Sequence, residues 1–142
     1  MTRVPVRTAD LGGWTDTWFA ASGLVCNIAI DPGIEVRIEA GTVPDKVALT
    51  GSDGATLVGD PAVASDWPDA FLAAFLRDAP RGVHVTIRSG APSGSGVGTS
   101  AALAVAMLAA FDRWSGRQID ALEVARRAHR TETGLGRQSG VQ

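Results

Sequence analysis

The stretch Pro92-Ser93-Gly94-Ser95-Gly96-Val97-Gly98-Thr99-Ser100-Ala101-Ala102 constrains this chain more than any other. Before it, Val83-His84-Val85-Thr86-Ile87-Arg88 alternates apolar and polar residues as a strand does. After it, the run from Ala101 to Phe111 is apolar almost all round, as a buried helix is. Strand, small-residue loop and helix start therefore follow one another. That order aims unpaired backbone N–H groups and the positive end of a helix dipole at one spot. Such a spot suits a phosphate, and glycines keep side chains out of its way. A short glycine run between strand and helix is often no more than a turn, but this one is longer and ordered. It is not a Walker A loop, because no lysine follows the last glycine. Nor does Gly94-Ser95-Gly96-Val97-Gly98 have the dinucleotide-binding spacing, and it lies far from the first strand.

A chain of 142 residues fits one domain, and 45% hydrophobic residues can build a core. A net charge of −2 and a pI near 5.6 point away from nucleic-acid and membrane partners. Cys26 is the only cysteine, so no internal disulfide can form, which fits a reducing cytosol. Residues 1–7 lack the apolar core of a signal peptide. The expected location is cytoplasmic.

Arg3 to Ala9 reads as a first strand, leading into turn-rich Asp10-Leu11-Gly12-Gly13-Trp14-Thr15-Asp16. Leu24 to Ile30 and the alternating Ile34 to Glu39 read as a hairpin turning at Asp31-Pro32-Gly33. Val47-Ala48-Leu49 and Thr56-Leu57-Val58 are weaker strands. Ser65 to Asp69 is expected to open a helix, with Phe71, Leu72, Phe75 and Leu76 on its apolar face. Gly116 suits the C-terminal end of the alanine-rich helix, and Asp120-Ala121-Leu122-Glu123 is a capping box for the next. Cys26 reads as a core thiol, and His84 and His129 as surface residues.

Two constellations could carry chemistry. In Arg7 with Gly12-Gly13-Trp14-Thr15-Asp16, a tryptophan face can stack on a sugar and an aspartate can accept from its hydroxyls. Taken alone, that stretch is equally an ordinary loop. Ser100 and Glu132 offer a hydroxyl and a carboxylate to Mg²⁺, which takes few protein ligands when phosphates supply the rest. Taken alone, Glu132 reads on composition as a solvated helix-end residue.

These residues together resemble a known family. The glycine stretch is similar to the phosphate loop of the GHMP kinases (galactokinase, homoserine kinase, mevalonate kinase, phosphomevalonate kinase), Pro-x-x-x-Gly-Leu-Gly-Ser-Ser-Ala-Ala, with Val97 and Thr99 as mild changes. Pro5-Val6-Arg7-Thr8-Ala9-Asp10-Leu11-Gly12-Gly13-Trp14-Thr15-Asp16 aligns without gaps to the galactokinase signature, and its Gly-Gly-Trp-Thr-Asp resembles the fucokinase and heptose-phosphate kinase branch. Gly23-Leu24-Val25-Cys26-Asn27-Ile28-Ala29-Ile30 resembles that branch too, whereas Thr17-Trp18-Phe19 departs from the fucokinase Thr-Pro-Pro. Glu132 followed by Ser139-Gly140-Val141-Gln142 is similar to the family's Glu-x₆-Ser-Gly-Val-x-Asp-Gln, whose catalytic aspartate would come next.

The resemblance implies an α+β fold, the ribosomal protein S5 domain 2-like two-layer sandwich with a left-handed βαβ unit. It implies that residues 1–142 form a GHMP kinase N-terminal ATP-binding domain that needs a C-terminal domain to complete its active site. Pro92, Gly94, Ser95, Gly96, Val97, Gly98, Thr99 and Ser100 would wrap the phosphates of ATP. Ser100 and Glu132 would hold Mg²⁺, Arg7 would act catalytically beside the transferred phosphoryl group, and Trp14, Thr15 and Asp16 would face a sugar or sugar phosphate. The expected activity is ATP-dependent phosphorylation of a sugar hydroxyl, absent from the chain by itself. The alternative is a non-catalytic nucleotide- or phosphate-binding module of a split or decayed kinase.

Overall fold

The structure, a computed structural model, describes residues 1–11, 23–92 and 94–136. It is a mixed α+β sandwich. The strands are β1 (Thr2–Leu11), β2 (Cys26–Ala40), β3 (Val47–Thr50), β4 (Thr56–Gly59) and β5 (Val83–Ser89). They form one sheet in the order β1-β2-β5-β3-β4. β3 runs parallel to β5, and the other neighbours are antiparallel. The helices are α1 (Ala70–Leu76), α2 (Thr99–Trp114) and α3 (Ala121–Gly134). No helix among the described residues is long and apolar enough to cross a membrane.

The alternation seen in the sequence sets the layers. Val83, Val85 and Ile87 of β5 are buried, as are Val47 and Leu49 beside them, and so is Val36 of β2. Their neighbours along each strand point to the other, wetter face. α2 lies on β1 and β2. It buries Ala102, Ala104 and the whole run from Ala106 to Asp112. Its alanines let the helix approach the sheet closely, while Met107 and Leu108 fill the space between.

Four expectations need correction. Asp31-Pro32-Gly33 is no hairpin turn, because β2 runs straight through it and pairs with β1 on both sides, Val4 with Ile34 and Val6 with Ile30. Pro5 faces this irregularity, and neither Pro5 nor Pro32 has an N–H to donate, so the ladder is interrupted where it has least to lose. Only glycine fits at position 33: a Cβ there would lie 2.3 Å from the Val4 carbonyl oxygen. Second, the helix expected from Ser65 begins at Ala70. The Trp67 side chain is buried and donates from Nε1 to the Asp60 carbonyl at 3.2 Å, in an extended conformation that interrupts the helix. Asp69 then caps α1 by accepting from the Leu72 amide at 2.9 Å. Third, Cys26 is exposed, since it lies on the part of β2 that extends beyond β5. Fourth, the histidines are half-buried rather than superficial: His84 Nε2 lies 2.8 Å from Thr50 Oγ1, and His129 Nδ1 is shielded from solvent.

The loop leading to α1 is tied down by Asp60. Its carboxylate accepts from both Arg81 Nη atoms at 2.9 and 3.2 Å and from the Ala62 amide at 2.9 Å, with Lys46 Nζ at 3.9 Å. The Arg81 hydrogen bonds, then the Ala62 amide and the two positive charges, hold the Asp60 carboxyl below its usual range. A carboxylate so depressed binds fewer protons folded than unfolded. Its stabilisation is complete above its unfolded pKa of about 3.9 and is lost as pH falls through the lower folded value. Thermal melts across acid pH should therefore show the wild type losing stability more steeply than Asp60→Asn below about pH 4. Parallel curves would mean that this network contributes nothing.

Candidate functional site

β5 ends at Ser89, and the chain turns at Pro92, whose carbonyl accepts from the Ser95 amide at 3.3 Å and the Ser95 hydroxyl at 2.7 Å. Gly94, Gly96 and Gly98 then each take a left-handed φ, of 76°, 75° and 71°. A left-handed residue at every second position is the pattern that turns successive amides toward one side. L-residues with a Cβ rarely tolerate this backbone.

The first strand anchors the loop. The Arg7 amide donates to the Val97 carbonyl at 2.9 Å, and the Val97 side chain packs on the core. Gly98 is the N-cap of α2 and offers no side-chain cap, so the first-turn amides of the helix stay open to a ligand. The Arg7 side chain runs alongside: a Cβ at position 98 would meet Arg7 Cγ at 3.5 Å and Nε at 3.6 Å. The side chain is half-buried there.

Two cavities border the loop. One, of about 320 Å³, is enclosed by Arg7 on β1, Asn27 and Ala29 on β2, Gly98, the first alanines of α2, and Ala121, Ala125, Ala128 and Glu132 on α3. The other, of about 580 Å³, is bordered by Gly94, Gly96, Gly98, Thr99 and Ser100, with Asp69, Phe71 and Leu72 of the α1 region and Leu103 of α2 facing them. Among the described residues Gly98 alone borders both.

The structure thus brings Arg7, Gly98 and Glu132 to one cavity. Ser100 and Thr99 line the other cavity, so Ser100 and Glu132 border two different cavities that share Gly98. Glu132 is not the solvated helix-end residue its position would suggest, since only 4% of it is exposed. Ser100 is exposed, and the Thr99 hydroxyl is buried with no hydrogen-bond partner among the described residues. Trp14, Thr15 and Asp16 lie outside the described residues.

Among the lining residues that sequence reasoning missed, four stand out. Asn27 is the one amide in an apolar strand, a signal that was available. Asp69, Phe71 and Leu72 read as a cap and a core face, and nothing local marks them as facing the loop. The oxygen donors of Glu132 and Ser100 suit a hard cation such as Mg²⁺. Among the described residues no three His, Cys, Asp or Glu side chains cluster as a metal centre.

The profile of the GHMP kinases N terminal domain matches residues 68–142. A mevalonate kinase of Methanothermobacter thermautotrophicus is 56% identical over 41 residues, 29% of this chain and 14% of that protein. The structure of a D-glycero-D-manno-heptose 1-phosphate kinase from Bacteroides thetaiotaomicron superposes with a TM-score of 0.83 at 24% identity, covering 99% of this chain and 50% of that one. Lactococcus lactis galactokinase, solved with galactose, gives 0.75 at 17% identity, covering 99% and 39%. At these identities the structures show a shared fold. The chain spans half the length of the heptose-phosphate kinase.

The left-handed Gly98 yields a direct test. Gly98→Ala should destabilise the protein by about 1 kcal/mol, because alanine resists that backbone even where its methyl group finds ordinary contact distances. Urea unfolding measures this, and an unchanged midpoint would mean that the loop relaxes.

Proposed function

The chain belongs to the GHMP kinases, and on that premise we propose that it carries the nucleotide side of an ATP-dependent kinase for a sugar or sugar phosphate. The observation that carries this reading is the meeting of Arg7, Gly98 and Glu132 at one cavity, beside a loop of left-handed glycines. The amides from Gly94 to Ser100 receive the phosphates of ATP. The larger cavity, with Phe71 and Leu72, takes the rest of the nucleotide. The smaller one takes the acceptor hydroxyl.

Phosphoryl transfer is mainly a matter of positioning and of neutralising charge on the transferred group. Arg7, held against Gly98, places a guanidinium where that charge develops. Glu132 and Ser100 are the residues that would hold Mg²⁺, which when bound neutralises the phosphate oxygens. Asn27 orients an acceptor hydroxyl by hydrogen bonding. Trp14, Thr15 and Asp16 complete the acceptor side, where the stretch resembling the fucokinase and heptose-phosphate kinase branch favours a sugar. A further domain closes the cleft, and the protein works in the cytoplasm. The half-length coverage of the heptose-phosphate kinase supports the need for that domain.

ADP release by the full-length protein, measured over fucose, galactose and heptose phosphates, tests the reading. One of these should give turnover that needs Mg²⁺. Arg7→Ala should then lower kcat on the order of a thousandfold, as loss of a transition-state arginine does. Ser100→Ala should raise the Mg²⁺ concentration needed for half-maximal rate. Nucleotide binding without turnover on any acceptor would favour a non-catalytic module instead.

A further inference from the structure

We propose that the part-buried ion pair Asp112–Arg127 is a positioning device. It sets the rotation of α3 and thereby aims Glu132, so that it governs divalent-metal binding beside the glycine loop. The proposal rests on the reading of Glu132 as a metal-binding carboxylate.

Asp112 sits near the end of α2, where the apolar run gives way to charge, yet it is only 5% exposed. Its carboxylate accepts from Arg127 of α3 at 2.6 Å and from Arg117 of the α2–α3 connection at 3.5 Å. The Arg117 amide also donates to the Asp112 carbonyl at 2.9 Å. One aspartate therefore grips both the next helix and the link to it. The 16 residues of α2 make a rod about 24 Å long, with the glycine loop at one end and this grip at the other.

Glu132 follows Arg127 by five residues, which places it about 7.5 Å further along α3 and about 140° around it. Arg127 therefore faces the end of α2 while Glu132 faces the cavity, and fixing one fixes the other. On the cavity side α3 meets its neighbours largely through small side chains. Toward the cavity α3 presents Ala121, Ala125 and Ala128, and its buried apolar residues are Val124 and Ala128. Such small side chains make shallow ridges that interlock weakly. A buried charge pair contributes little net stability but can select one arrangement among several.

The test compares ADP binding with Mn²⁺ present and with EDTA, by calorimetry on the intact protein. The wild type should bind ADP more tightly with Mn²⁺, and Glu132→Gln should lose that gain. Asp112→Ala and Arg127→Met should each weaken the Mn²⁺-dependent gain on the order of tenfold, a loss typical of residues supporting a metal ligand. Metal-free ADP binding should stay within about twofold of the wild type, since the loop is built on β1. The double variant should be no worse than either single one, because both remove the same contact. If the truncations do not fold, Arg127→Lys, which keeps the charge but not the fork, should give a smaller loss of the same kind. An unchanged Mn²⁺ gain, or metal-free binding that falls in parallel, overturns the proposal. A wild type with no Mn²⁺ gain at all instead refutes the metal role of Glu132, and the proposal falls with it.

Discussion

The hydrogen bond from the Arg7 amide to the Val97 carbonyl, 2.9 Å long, joins the first strand to the glycine loop. Among the described residues β1 is an edge strand with β2 as its one neighbour in the sheet. In an antiparallel pair, alternate amides point away from the partner strand, and Arg7 uses its own to hold the loop. The sheet therefore fixes Val97, and the Val97 side chain fastens to the core. The glycines on either side keep their left-handed turns around that fixed point. A loop so anchored has little conformational freedom left to lose when an anion arrives, and this preorganisation favours binding.

α2 extends that rigidity across the molecule. It is buried from Ala106 to Asp112, and its alanines bring it close to β1 and β2. A helix of this kind cannot swing without opening the core. Its N-terminal amides accordingly stay aimed at one place, and its far end meets α3 through Asp112. The two helices and the first strand thus form a frame in which Arg7, Gly98 and Glu132 come from three elements distant in sequence and share one cavity.

Much of this was legible in the residues, for physical reasons. The alternation of Val83, Val85 and Ile87 is a one-sided burial pattern, and it fixed both strand and face. The glycine spacing announced a backbone that other residues avoid, and Asp120 announced a helix start that its side chain indeed caps. What stayed hidden depends on partners remote in the chain. Asp31-Pro32-Gly33 has turn chemistry, yet β1 pairs across it and keeps β2 continuous. Trp67 gives no local sign that its burial interrupts a helix. Cys26 is apolar in company, but β5 does not reach it. Asp112 looked like the charged end of an apolar run, and only Arg127, fifteen residues on, explains its burial. Which cavity each loop residue would face was also beyond the sequence, because among the described residues only Gly98 borders both.

That shared glycine has a consequence for the chemistry proposed. In phosphoryl transfer the attacking and leaving oxygens lie roughly in line, on opposite sides of the transferred group. A donor and an acceptor therefore need separate spaces that meet at one narrow point. In the proposed reaction the two cavities that share Gly98 would hold donor and acceptor, with the Arg7 side chain beside the shared glycine. A side chain at position 98 would lie against Arg7 as well as strain the turn. The residue that suits the backbone is thus also the one that leaves the Arg7 side chain its room, so fold and proposed reaction place the same demand on it.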